Sequence, residues 1–541
     1  MTDTIRREMK PETRYHMKST DRAPRDPSPL TSAIPPWPVD STNIALLLWQ
    51  TADRANNRCA IVERNAHVTY GELRARAASI AAALQAGGVA PGDRVAIFLE
   101  RGTDSAAAFF GAAACGAVAI NVNETLRPRQ VEHILSHSGT VALISSAELL
   151  ARQPRQIATT ARQFDVASLC GDAEFKPVHR VGCDFAQIIY TSGSTGLPKG
   201  VTLTHSNLWS GVRSVSSYVR IDADDRIASL LPFSFDYGFN QLLCAVGAGA
   251  CLVVERSPLP QQIVATLRGE AVTVLPCVPP LWLQLLGTST FRNTPISSIR
   301  AMTNTGGRIP IDGVRQLRAA QPQAELFLMY GLTEAFRATY LPPELVDAHP
   351  DSIGRAIPGT EILVVREDLT LCAPGEVGEL VQRGSTVAAG YWNDPETTAR
   401  IFRPHPLLPD GAPNSERVVF SGDLVRRDAD GLLYYVGRRD RLIKSLGFRV
   451  SPDEIADVIY ASGQVVEAMV GTEPDEKRGE LIVAYVVLAP DGTVESVRRF
   501  CRAELPPYLH PGRIEARSEL PRTPSGKFDL RAAQATNSPE S

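Results

Sequence analysis

Tyr190-Thr191-Ser192-Gly193-Ser194-Thr195-Gly196-Leu197-Pro198-Lys199-Gly200 is a run of hydroxyl-bearing, glycine, proline and lysine residues after the tyrosine, broken by one leucine. Residues 186–190, just before it, read as a buried strand. Such a loop offers many backbone N–H groups, short hydroxyl donors and one cation. Converging N–H dipoles and charge-assisted hydrogen bonds are what a polyphosphate requires, and glycine lets the backbone come close to it. A Gly/Ser/Thr run is more often a flexible surface loop; its order after a strand gives this one the phosphate reading. It is not a Walker A loop, in which lysine directly follows the second glycine and Ser or Thr comes next. Here Leu197 and Pro198 separate Gly196 from Lys199, and Gly200 follows.

Outward from that loop, helix and strand patterns alternate. Residues 70–87 carry alanine and leucine at helical spacing, 93–100 read as a strand, 104–114 as an alanine-rich helix and 116–122 as a strand. Further strands are predicted at 142–145, 251–254, 272–275, 301–305 and 325–329. This alternation predicts an α/β fold of mostly parallel sheets flanked by helices. A chain of 541 residues also exceeds one core, since cores stop growing near ~250–300 residues. Near residue 440 the pattern changes to helix 451–461, strands 465–470 and 480–488, and helix 494–504, the size of a small α+β domain. The expected organisation is a large layered domain over 44–439 and a small mobile domain over 440–531. The boundary falls in Gly437-Arg438-Arg439-Asp440-Arg441.

Residues 1–43 are basic and proline-rich, with too little apolar surface to offset ordering entropy, so disorder is expected there. No apolar h-region follows the basic residues, so the segment does not read as a secretory signal. Met1 and Met17 stand as alternative starts, and residues 532–541 read as a frayed tail. The net charge is −3, which implies no bulk attraction to nucleic acid. No apolar run reaches the ~18 residues of a spanning helix, so stable membrane insertion is not expected. The nine cysteines form no Cys-x-x-Cys pair and the nine histidines show no metal-ligand spacing; most cysteines read as small core residues. A reducing cytoplasm is the expected setting.

Five other stretches carry chemistry. Met329-Tyr330-Gly331-Leu332-Thr333-Glu334 ends an apolar strand, where open α/β sheets bind ligands. Tyr330 can stack on a purine, Thr333 can donate to a phosphate, and Glu334 is a hard oxygen ligand for Mg²⁺; alone, the motif reads as a capped turn. Gly306-Gly307-Arg308 would let a flat ring lie on backbone. Asp423 in Phe420-Ser421-Gly422-Asp423-Leu424 is placed to accept ribose hydroxyls, or simply caps a turn. Lys527 in Pro524-Ser525-Gly526-Lys527 is bland by itself. In Leu231-Pro232-Phe233-Ser234-Phe235-Asp236-Tyr237-Gly238-Phe239-Asn240, Asp236 stands among apolar residues, and burying a carboxylate costs several kcal/mol unless it is paired. It either caps a helix starting at Tyr237 or awaits a substrate ammonium.

Over roughly residues 45–530 these ordered motifs resemble the AMP-forming adenylating enzymes: acyl-CoA synthetases, peptide-synthetase adenylation domains and luciferases. Asp394-Pro395-Glu396-Thr397-Thr398 after Gly390-Tyr391-Trp392-Asn393 also fits that family. The resemblance implies ATP and Mg²⁺. It gives Thr191, Ser192, Gly193, Ser194, Thr195, Gly196 and Lys199 to the phosphates, and Glu334 to the metal. Gly306, Gly307, Tyr330, Gly331, Thr333, Asp423, Tyr435, Arg438 and Lys444 join the nucleotide contacts. Lys527 matches the catalytic lysine and Asp440 the hinge; Lys444 and Gly447 match the face that lines the thiol-forming arrangement. Phe235, Asp236, Gly238, Phe239, Arg308 and Arg337 fall to the acid pocket, where Arg337 would meet an acidic substrate. Many fatty-acid and aryl-acid members carry histidine near Asp236; Phe235-Asp236 instead resembles peptide-synthetase domains, whose aspartate pairs with the substrate amine. The whole segment is most similar to stand-alone bacterial acyl-CoA-ligase-like proteins.

The implied activity is an ATP-dependent carboxylic acid–thiol ligase. It would form an acyl-adenylate and then a thioester with coenzyme A or a carrier-protein phosphopantetheine. One alternative is an amino-acid adenylation enzyme loading a carrier protein. Two others are an oxidative, luciferase-type enzyme and a non-catalytic nucleotide-binding interaction protein. The joint presence of Glu334, Asp423 and Lys527 argues against the last. The expected partners are a small carboxylic or amino acid and a carrier protein, with no nucleic acid.

Overall fold

Two large sheets are built from the alternating pattern. The computed structural model describes residues 40–64, 66–169, 171, 173–191, 198–409, 411, 416–439, 443–445, 448–475, 479–505, 509–523 and 526–535. The seven-stranded sheet runs in the order Gly390–Tyr391, Lys199–Thr204, Phe185–Thr191, Val118–Asn121, Arg94–Phe98, Ala142–Ser145, Arg162–Asp165. Its centre is parallel, and helices Tyr70–Ala86 and Thr103–Ala114 pack beside it. The first of these starts where Thr69 and Glu72 form a capping box, which satisfies two of the helix's orphan N–H groups. Strand Phe185–Thr191 then turns back on Lys199–Thr204, with Thr191 opposite Lys199. The two ends of the phosphate-type loop are thereby held side by side.

The second sheet has 14 strands. Strands Cys251–Val254, Arg226–Ser229, Val274–Cys277, Ala301–Asn304 and Glu325–Tyr330 are parallel neighbours in that order. Their residues are buried almost throughout, as expected of parallel strands covered on both faces. After Tyr330 the direction reverses: Thr339–Leu341 pairs antiparallel with Glu325–Tyr330. The sheet continues antiparallel through Ser352–Ala356, Leu433–Arg438, Arg417–Arg427, Val377–Gly384 and Thr360–Val365. The alternating pattern carries no sign of this extension, because its strands pair antiparallel, some of them across long stretches of chain, and not through helix crossovers to parallel neighbours. The carboxyl ends of the parallel strands therefore share one edge, next to the point where the sheet changes character. Ligands bind at such an edge in open α/β sheets.

Beyond residue 443 the chain forms separate sheets. Ile443–Ser445 pairs with Phe448–Val450, and Val465–Asp475, Gly479–Leu488 and Arg513–Ala516 make a three-stranded sheet. Helices Pro452–Ala461 and Val494–Glu504 cover it, burying Ile455, Ile459, Val470, Ile482, Val497 and Cys501 in their own core. The architecture is α/β, with a large domain and a smaller one.

Two expectations at the termini are corrected. Residues 40–43, assigned to the tail, belong to the folded body: Asn43 is buried and donates to the carbonyls of Ala113 and Val178. Residues 532–535, read as frayed, complete helix Leu530–Ala535, with Ala533 buried and Gln534 donating to the Thr472 carbonyl. The rest of both tails lies outside the described residues. Among the described residues no helix is long and apolar enough to cross a membrane.

Candidate active site

The strand-end edge collects residues from segments far apart in sequence. Tyr330 ends its strand and donates its hydroxyl to Oδ2 of Asp423, which arrives from strand Arg417–Arg427. Arg438 Nη1 donates to the other carboxylate oxygen at 3.2 Å, and the Tyr435 ring lies 6.3 Å from that of Tyr330, centre to centre. Burial, reinforced by the negative charge of Asp423, pushes the Tyr330 phenol well above its ordinary range. The tyrosine therefore stays a neutral donor to the buried Asp423.

Thr333 and Glu334 follow in a single 3₁₀ turn. The Thr333 hydroxyl donates to Oδ2 of Asp236 at 3.2 Å, while Glu334 accepts the Tyr391 hydroxyl at Oε1 and the Ala388 N–H at its backbone carbonyl. One carboxylate that shares Tyr391 with Lys199 suits Mg²⁺, which is commonly held by one or two carboxylates plus substrate phosphates. Among the described residues there is no cluster of three ligating side chains, so the metal would need those phosphates to complete its sphere.

Asp236 lies only 4% exposed at the first position of helix Asp236–Ala248. The helix thus begins one residue earlier than the capping alternative requires. Phe235 occupies the N-cap and supplies no side-chain cap. Among the described residues, the carboxylate accepts one hydrogen bond, from Thr333. Gly238 in the first turn could hold no side chain: a β-carbon there would lie 2.4 Å from the Pro232 carbonyl oxygen.

Lys527 reaches this edge from the small domain. Its Cε lies 3.9 Å from where a β-carbon of Gly306 would sit, and its ammonium is 5.9 Å from the Phe235 ring centre. Gly306 has φ +81, and a side chain would meet Val278 at 3.3 Å and Phe235 at 3.5 Å. The Gly307 carbonyl is held by Asn304 Nδ2 at 3.0 Å.

Lys199 is engaged. Its ammonium donates to Asp394 Oδ2 at 2.8 Å and to Thr397 Oγ1 at 2.7 Å, and lies 5.9 Å from the centre of the Tyr391 ring. The lysine holds the Asp394 carboxyl down at about 2. Tyr391 thereby stands between Lys199 and Glu334. Neither Tyr391 nor Asp394 was given a role from sequence. The Gly-Tyr-Trp-Asn-Asp-Pro-Glu-Thr-Thr stretch was the available signal, but nothing local says which side chain it touches.

Two arginines divide. Arg308, expected at the acid pocket, pairs instead with Asp457 on helix Pro452–Ala461 of the small domain. It is a link between domains, decided by through-space contact across 149 positions. Arg337 is 2% exposed and packs 5.0 Å from the Tyr237 ring centre. Its Nη1 donates to the Phe336 carbonyl at 2.8 Å, while Nε and Nη2 have no partner among the described residues. Phe239 is buried in the same helix as Asp236, and Gly331 lies against Arg337. Thr191 ends its strand opposite Lys199. Ser192, Gly193, Ser194, Thr195, Gly196, Asp440 and Gly447 lie outside the described residues. Lys444 is described only as backbone in its short strand.

Residues 48–392 match the family model described as "AMP-binding enzyme", and residues 454–527 match "AMP-binding enzyme C-terminal domain". The chain belongs to the AMP-binding enzyme family. Among curated relatives, tyrocidine synthase 3 of Brevibacillus parabrevis is 29% identical over 496 residues, which is 90% of this chain and 8% of that synthase. Novobiocin biosynthesis protein H of Streptomyces niveus is 29% identical over 513 residues, 92% of this chain and 83% of that protein. The chain thus spans only a small part of the peptide synthases it matches. Two solved structures share the fold. ATP-bound MatB from Rhodopseudomonas palustris has TM-score 0.82 and 26% identity, covering 92% of this chain and 99% of that one. The o-succinylbenzoate CoA synthetase MenE from Bacillus subtilis, in complex with its acyl-adenylate, has TM-score 0.79 and 27% identity, covering 91% and 98%.

Proposed function

We propose that this chain is an ATP-dependent carboxylic acid–thiol ligase. The observation that carries the reading is the approach of Lys527 to Gly306 and Phe235, at the sheet edge where Tyr330, Asp423, Thr333 and Glu334 also gather. In the first step a carboxylate oxygen of the acid attacks the α-phosphorus of ATP and pyrophosphate leaves. Negative charge builds on the α-phosphate oxygens, and a cation already in place lowers that barrier; Lys527 is that cation. Asp423 accepts the ribose hydroxyls, with Arg438 beside it. Lys199 and the Thr191–Thr195 hydroxyls hold the outer phosphates once Lys199 leaves Asp394. Mg²⁺ held by Glu334 would neutralise charge on those phosphates. The small domain then turns about Asp440, withdraws Lys527, and a thiolate of coenzyme A or of a carrier-protein phosphopantetheine attacks the acyl carbonyl, releasing AMP. Two steps through an activated intermediate replace one difficult condensation.

Asp236 supports an acid that bears an amine. Among the described residues its buried carboxylate has a single neutral donor, and a substrate ammonium would complete it. Arg337, with two unmet donors, supports a carbonyl or carboxylate acceptor elsewhere on the same substrate. A second reading follows from Asp236 and from the peptide-synthase relatives: amino-acid activation for a carrier protein. The test is incubation with ATP, Mg²⁺ and a mixed pool of amino and simple acids, with adenylates identified by mass spectrometry. Adenylates of amino acids alone select the second reading. No adenylate and no AMP from a broad panel would leave a nucleotide-binding protein without ligase chemistry.

A further inference from the structure

Far from the carboxyl edge of the parallel strands, two cysteines face each other. Cys59 opens strand Cys59–Glu63 and Cys251 opens Cys251–Val254, its parallel neighbour. The register pairs Ile61 with Leu252. In a regular pleat, side chains two apart share a face and adjacent ones oppose. Cys59 would then point to the face of Leu252, opposite to Cys251. The strand is not regular. Against Ala66–Thr69, Cys59 pairs with Thr69 and Ile61 with Val68, so two steps on one strand match one step on the other. That extra residue is a bulge, and bulges re-aim side chains. It turns Cys59 onto the face where Cys251 packs with Val62 and Val253. The two sulfurs lie 3.4 Å apart.

Their surroundings differ in a way that assigns roles. Cys251 is buried, whereas Cys59 is half-buried and accessible from solvent. His67 Nδ1 lies 4.0 Å from the Cys59 sulfur. The hydrogen bond from Cys251, helped by His67 and Arg226, draws the Cys59 thiol below its ordinary value despite its burial. The thiolate is the nucleophile in disulfide exchange, so Cys59 is the attacking sulfur and Cys251 the resolving one.

We propose that Cys59 and Cys251 form a redox-active thiol pair that closes to an intramolecular disulfide when it meets a small-molecule disulfide oxidant. Cys59 thiolate attacks one sulfur of the oxidant, forms a mixed disulfide and expels the first thiolate. Cys251 gives its proton to solvent and attacks Cys59 Sγ, expelling the second thiolate. The protein loses two electrons and the oxidant becomes two thiols. The sulfurs have to move from 3.4 Å to the ~2.05 Å of a bond. Adjacent strands, ~4.8 Å apart, allow this within the ~4.4–6.8 Å Cα separation that disulfides span. The bridge would tie positions 192 residues apart, constraining the unfolded chain and leaving the active-site edge unchanged. No spacing rule signals such a pair, because it is made by a bulge and a strand neighbour.

The experiment treats the full chain with oxidised glutathione, blocks remaining thiols and maps peptides by mass spectrometry. The expected result is a Cys59–Cys251 cross-link with loss of two hydrogens and a rise in Tm of several degrees, both reversed by dithiothreitol. In Cys251→Ala, Cys59 is expected to stop at the glutathione adduct. In Cys59→Ser, both the cross-link and the Tm rise are lost. Both thiols remaining alkylatable in the treated wild-type protein, a stable glutathione adduct on wild-type Cys59, or oxidation confined to the exposed Cys183 would each overturn the proposal. These outcomes are read from the wild-type chain, so they hold even if a variant folds poorly.

Discussion

The Cε atom of Lys527 lies 3.9 Å from the β-carbon position of Gly306, so a lysine of the small domain reaches the strand-end edge of the large one. If this ammonium stabilises charge at the α-phosphate, Lys527→Ala should lower acid-dependent ATP–pyrophosphate exchange by ~10²–10³-fold, the loss seen when one transition-state donor is removed. Thioester formation from preformed adenylate should persist. Exchange at the wild-type rate would remove Lys527 from the chemistry.

Gly306→Ala tests that edge itself. At φ +81 the backbone is left-handed, and the new methyl would meet Val278 at 3.3 Å and Phe235 at 3.5 Å. Left-handed backbone costs a residue with a side chain roughly 1–2 kcal/mol. Steady-state kinetics should show KM for the acid rising more than KM for ATP, because the methyl intrudes on the Phe235 side.

Asp236→Asn and Arg337→Met separate the two halves of the proposed acid pocket. Hydrogen bonds to charged groups are worth roughly 1.5–3 kcal/mol, so Asp236→Asn should lower kcat/KM for amine-bearing acids by about 10- to 100-fold. Acids without an amine should be little affected. Arg337→Met removes two buried, unmet donors, each of which costs about 1–3 kcal/mol when left unsatisfied. Urea unfolding of the substrate-free variant should therefore show unchanged or greater stability, while its KM for the acid rises.

Asp394→Asn asks what the Lys199 pair does. Asp394 also caps helix Pro395–Ile401 by accepting the Thr397 N–H, and asparagine caps as well as aspartate. The substitution removes the ion pair and keeps the helix start. A partly exposed pair contributes up to ~1 kcal/mol, so KM for ATP should fall by up to about 5-fold as Lys199 is released to the phosphates. A rise in KM would mean that Asp394 orients the lysine instead.

His205 predicts a pH dependence of stability. It is fully buried, its Nδ1 accepts the Ile44 N–H at 3.0 Å, and burial holds its pKa down to about 3 from an ordinary 6.5. The folded protein therefore keeps a neutral imidazole while the unfolded chain takes up a proton. The contribution is complete above pH 6.5 and is lost as pH falls from there toward 3, with a slope of up to about 1.4 kcal/mol per pH unit. Urea midpoints measured from pH 7 to pH 4 should decline with that contribution. In His205→Asn, whose side-chain oxygen can take the same N–H, the decline should be shallower.

The helices and parallel strands around Phe185–Thr191 were legible because each is a short, periodic stretch between clear breaks. Residues 142–145, 251–254 and 494–504 fall where the pattern puts them. The antiparallel extension past Tyr330 was not legible, since its strands pair antiparallel and not through helix crossovers, and some of the pairs, such as Ser352–Ala356 with Leu433–Arg438, join segments far apart in the chain. Asp423 and Tyr330 were singled out separately; that one hydroxyl bonds the other's carboxylate depends on the register of Arg417–Arg427 in a sheet assembled from distant segments.

By itself the amino-acid sequence determined the α/β class, the change of character near residue 440 and the motif residues that a triphosphate and an acid would need, because each is written in contiguous residues. Only the tertiary structure decided which side chains meet. Arg308 goes to Asp457, Lys199 to Asp394, Thr333 to Asp236 and Cys59 to Cys251. Those pairings are set by strand register, by one bulge and by how the small domain lies on the large one, and such long-range geometry leaves no periodic trace in the chain.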